Sequence, residues 1–164
     1  MKKNLSKPSS LVYGSLLDRI GGIIADARRR VARAIDTTQV ILYWQIGSYI
    51  VEFEQKGRIR AGYGQELLKK LALDLMNKYG RGFSERNLEQ MRKFYSTYPI
   101  SQIGLSKFLV RKQGGAEISQ TLSAKFNLSW SHYCELLKEE SDHARSFYEK
   151  EAVEERWSVR ELKR

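Results

Sequence analysis

Few residues in this chain are of the types that do covalent or metal chemistry. The 164 residues include one cysteine, Cys134, and two histidines, His132 and His143. That set can close no disulfide within the chain and cannot assemble a protein-only zinc tetrad. There is no phosphate loop, no nucleophile elbow and no zinc-protease helix. Glu161-Leu162-Lys163 has the Glu-x-Lys spacing of half a Mg²⁺-dependent nuclease site, but such a site needs several carboxylates converging from strands. Here the triplet overlaps Ser158-Val159-Arg160-Glu161, a capping box that opens a helix. These residues point to a chain that is not an enzyme by itself and needs no metal or cofactor.

Other residues suit a polyanion. Between positions 81 and 93 stand Arg81, Ser84, Arg86, Asn87, Gln90 and Lys93. Arg can pair two hydrogen bonds with guanine, and Asn or Gln with adenine, while further cations hold phosphates. Arg58 and Arg60 lie in a loop, Lys56 to Gly64, whose three glycines let a backbone come close to a partner. Charge placement agrees. The net charge is +10, and residues 56–125 carry +9 of it (14 basic, 5 acidic), whereas residues 126–164 are slightly acidic.

The elements that must position these residues read as helices. Prolines number only two, and long stretches are rich in strong helix formers. Leu16, Ile20, Ile23 or Ile24, Ala27, Val31 and Ala34 recur at helical spacing. Asp36-Thr37-Thr38 offers a break and an N-cap before a second apolar helix from Val40 to Phe53. The expectation is a flexible N-terminus at 1–10 and a helical hairpin over 11–55. Residues 56–164 then form a helix-turn-helix-containing region in one compact domain with the hairpin. Within it, Leu67 to Tyr98 forms the sharpest unit: a helix to Tyr79, a turn at Gly80-Arg81-Gly82, and a second helix capped by Ser84. Periodicity fades near 104–118, where a short β-hairpin and a mobile insertion are both open.

A weak internal repeat follows, NKYGRGFSERNLEQMRK against SAKFNLSWSHYCELLKE. It sets Ser131 and His132 where recognition residues of a second unit would stand, with Ser129 as its cap. Trp130 reads equally as core or as a stacking platform. Cys134 reads as a buried inert thiol. The capping box at Ser158 has only three residues beyond it, which predicts that the natural protein continues past Arg164. No signal peptide or membrane span is legible, which suits a cytoplasmic setting.

The run LYWQIGSYIVEFEQKGRIRAGYGQELLKKLALDLMNKYGRGFSERNLEQMRKFY, with LSWSHYCELL, ARSFYEKEA and WSVRELKR, resembles the N-terminal domain of the YhcG-like family of PD-(D/E)XK nucleases. The likeness runs from about Leu11 to Arg164. It implies an all-α, helix-turn-helix-containing domain that precedes a nuclease domain in bacterial proteins linked to mobile elements and phage defence. Its implied partners are DNA and its own C-terminal nuclease domain. No catalytic residue carries over, because the nuclease half lies outside this sequence. Residues 104–117 depart from the family pattern as an insertion. Two rivals remain: a protein-interaction module in which the Leu16 to Ala34 stripe is the seam of a homodimer, and a stand-alone nuclease.

Overall fold

The computed structural model describes residues 10–56, 61–99 and 122–164. Among them the structure is all-α, with no strand. The elements are α1 (Ser10–Lys56), α2 (Ala61–Tyr79), α3 (Glu85–Thr97), α4 (Trp130–Leu136), α5 (Asp142–Glu154) and α6 (Val159–Leu162). Residues 122–125 are also helical. The segment 104–118, where a hairpin or insertion was open, lies outside the described residues. No described helix is long and apolar enough to cross a membrane.

Two expectations are corrected. The loop read over Lys56 to Gly64 gives way to helix from Ala61 onward. Residues 11–55 are not a hairpin: α1 runs unbroken through Asp36-Thr37-Thr38. Those residues are mediocre helix formers, each costing only about 0.5 kcal/mol relative to Ala. A capping residue satisfies a helix end but does not create one, and no proline or left-handed glycine interrupts the hydrogen-bond ladder here. Thr37 is instead engaged elsewhere, its hydroxyl donating to the Phe126 carbonyl oxygen at 3.5 Å.

The chain divides into two compact units, Met1–Ile35 and Asp36–Arg164. In the first, no residue between Tyr13 and Ile35 is buried. The second holds both apolar clusters. One gathers Val40, Ile41 and Trp44 of α1 with Phe94, Phe126, Tyr133 and Leu136. Phe94 is its centre, with ring centroids 5.1 Å from Phe126, 4.9 Å from Tyr133 and 5.4 Å from Trp130. Tilted and edge-on aromatic pairs of this kind add about 0.5–1.5 kcal/mol each beyond burial. The other cluster joins Tyr43 and Ile50 of α1 to Leu68 and Ala72 of α2 and to Leu88 and Met91 of α3. Where α1 crosses α3, Gly47 lies directly on the Met91 carbonyl, and a methyl group there would collide with it.

Candidate nucleic-acid interface

The turn between α2 and α3 is fixed by glycine chemistry. Gly80 has φ +85° and its amide donates to the Met76 carbonyl at 3.0 Å, closing α2. Gly82, at φ +114°, completes the turn. Phe83 then packs against the second cluster together with buried Leu88, as a hydrophobic staple would require. Ser84 takes the N-cap of α3, its Oγ accepting from the Asn87 amide at 3.3 Å. A helix, a tight turn and a second, capped helix thus follow one another from Ala61 to Thr97.

The repeat extends to burial. Leu88 and Met91 in α3 match Tyr133 and Leu136 around α4, and all four are buried. The two units are joined by Asn87. Its Nδ2 donates to the Gly82 carbonyl oxygen, and its Oδ1 accepts from the Trp130 indole at 2.9 Å. Trp130 sits edge-on to Tyr43 at 4.9 Å, so it serves as half-buried core and not as an open stacking platform. The second unit departs from the first at its cap. The Ser129 hydroxyl makes no capping bond and pairs with His132 Nδ1 at 2.7 Å. His132 Nε2 lies 2.9 Å from the Trp157 carbonyl oxygen. A carbonyl only accepts, so Nε2 is the donor in this bond. Lys93 is likewise engaged, donating at 2.6 Å to the carbonyl of Leu137 at the end of α4, a favourable place for a cation.

The polar groups of Ser84, Asn87, Lys93 and His132 are therefore held within the fold. Arg58 and Arg60 lie outside the described residues. Arg81, Arg86 and Ser131 are exposed, and neither arginine forms an ion pair with a described residue. By contrast Arg92 is held by Glu54 at 3.0 Å and Glu89 at 3.8 Å. Arg86 and Gln90 line a groove of about 360 Å³ between α3 and α4, with Gly82, Cys134, Glu135 and Lys138. Lys138 donates to Glu135 at 2.6 Å and holds that carboxyl below its usual range, with help from Lys163 at 3.4 Å. Gln90 Oε1 is buried without a partner among the described residues. Burial and the Glu135 charge push the Cys134 thiol up to about 11, which leaves it protonated at neutral pH.

One polar network was not foreseen from sequence. Glu149 of α5 is half-buried and accepts from Tyr98 Oη at 3.1 Å and Tyr133 Oη at 3.3 Å. Burial raises its carboxyl above the usual range against the opposing pull of those hydroxyls, Lys125 and Arg145. Both tyrosines are raised strongly, by burial first and the Glu149 charge second. Only the placement of Glu149 one turn before buried Ala152 hinted at an inward-facing carboxylate. No group of His, Cys, Asp and Glu among the described residues could hold a metal ion.

A family model described as the DUF1016 N-terminal domain matches residues 19–164. The "Putative nuclease YhcG" of Escherichia coli (strain K12) is 39% identical over 174 residues, an alignment that takes in 99% of this chain and 46% of that protein. The chain thus spans less than half the length of this curated relative. No solved structure matches.

Proposed function

We propose, on the premise that this chain belongs to the family of the DUF1016 N-terminal domain, that it contacts DNA and brings an attached nuclease domain to it. The relative's printed name speaks of a nuclease, and this chain contributes the non-catalytic contact. The observation that carries the reading is the pair Arg81 and Arg86, exposed beside the α2–α3 turn and without an ion pair among the described residues. They belong to the segment that holds +9 of the net charge, and Lys138 stands across the same groove. With Asn87 turned onto Trp130 and Lys93 onto α4, the chemistry left at this surface is that of phosphate contact more than base reading. Gln90 remains the polar group with open capacity. Arg58 and Arg60 extend the basic segment in sequence.

Fluorescence anisotropy on a labelled duplex at several salt concentrations tests this. Each phosphate contact contributes about 0.9 to the slope of log K against log salt. Arg81→Ala with Arg86→Ala should weaken binding on any duplex sequence and flatten that slope by about 2. Unchanged affinity and slope would remove the proposal, and metal-dependent cleavage by this chain alone would overturn its non-catalytic part.

A further inference from the structure

The first unit carries an apolar face that the second does not resemble. Within α1, Tyr13, Leu17, Ile20, Ile24, Ala27, Val31 and Ala34 alternate at spacings of four and three, the seam of a coiled coil. Its large members are exposed: Leu17 by 58%, Ile20 by 45%, Ile24 by 47% and Val31 by 60%. Leu16 and Ile23, also exposed, flank the same seam. A monomer rarely leaves a contiguous apolar patch of more than a few hundred Å² open to water. A helix in water without packing is also marginal, since its stability comes mostly from burying one face.

We infer that residues 13–31 of α1 pair with the same residues of a second copy as an antiparallel two-helix seam. The stripe repeats every seven residues, so it is complementary to itself, as an isologous dimer contact requires. Charge sets the direction. Residues 26–35 carry Asp26 against Arg28, Arg29, Arg30 and Arg33, a net +3, whereas residues 13–22 carry Asp18 and Arg19, a net of zero. A parallel pair would hold two +3 ends side by side. An antiparallel pair places each against the neutral end of its mate, with Ile20 opposite Ile24 of the second copy. Burying an apolar side chain removes on the order of 60 Å² or more at about 25 cal/mol per Å². The exposed side chains of the two copies therefore bury on the order of 1,000 Å² together, the lower bound for a specific interface.

Sedimentation of the 164-residue chain across micromolar concentrations should show a dimer. Ile20→Glu with Ile24→Glu should convert it to a monomer, while Ala32→Glu, outside the seam, should leave the dimer intact. Circular dichroism and a cooperative melt verify that the second unit still folds in each variant. In a Cys134→Ser background, a spin label at Ser15→Cys should lie about 21 Å along the axis from its mate in an antiparallel pair and level with it, on the opposite outer face, in a parallel one. A wild-type monomer, a dimer indifferent to the seam variant, or labels at position 15 level with each other along the axis would each overturn the inference. The readout involves neither Arg81 nor Arg86, so it stands apart from the DNA proposal.

Discussion

Asn87→Ala separates a residue that builds the site from one that reads a ligand. Truncation removes the acceptor for the Trp130 indole and the donor to the Gly82 carbonyl. The indole is half-buried among Tyr43 and Phe94, so its N–H loses a partner that water only partly replaces, at about 1–2 kcal/mol. The Gly82 carbonyl lies at an exposed turn and regains water, which adds only a few tenths to about 1 kcal/mol. The sum is about 2 kcal/mol, or a fall in Tm of roughly 4–8 °C for a chain of this size. Thermal unfolding followed at 222 nm measures it. A double-mutant cycle with Trp130→Phe should return a coupling of about 1 kcal/mol, because the two changes remove the same bond. At 10 °C, where the variant remains folded, its affinity for duplex DNA should match wild type. A variant that kept its Tm within a degree and lost DNA affinity would refute the reasoning and return Asn87 to the reading surface.

Gly47→Ala should destabilise by about 1–3 kcal/mol despite its better helix propensity, because the added methyl meets backbone at Met91 and not a movable side chain; a chemical-denaturation midpoint equal to or above wild type would contradict this. Glu149 has a raised folded-state pKa, so its ionisation costs stability as pH rises from the usual carboxylate range through the raised value. Glu149→Gln should flatten that part of the stability–pH curve, seen as a smaller loss of Tm between pH 4.5 and 7. Tyr98 and Tyr133 are raised far above 10, so they stabilise the fold less as pH climbs past 10, and the absorbance step at 295 nm for these two should coincide with unfolding. Cys134, protonated at neutral pH, should react with iodoacetamide at pH 7.5 many-fold more slowly than a free thiol of ordinary pKa, and a rate equal to that of the unfolded chain would disprove its protection.

Residue types along the chain dictate the geometry that spans only a few positions. The Ser84 cap, the reciprocal capping box of Ser158 and Glu161, and the positive φ at Gly80 and Gly82 are local geometry, and each stands where the residue types placed it. So does the repeat, because it is a repeat of caps and apolar spacing. Which polar groups stay available depends on long-range packing. Asn87 finds Trp130 across 43 positions, Lys93 finds Leu137 across 44, and Tyr98 finds Glu149 across 51. The continuity of α1 through Asp36-Thr37-Thr38 is likewise misread from residue types alone, because a residue type that can cap a helix does not by itself end one. A side chain's residue type names the bonds it can make, but its partner depends on which distant segment folds against it. Thus a run that reads as a recognition helix in sequence becomes, at Asn87 and Lys93, the joint between two helical units.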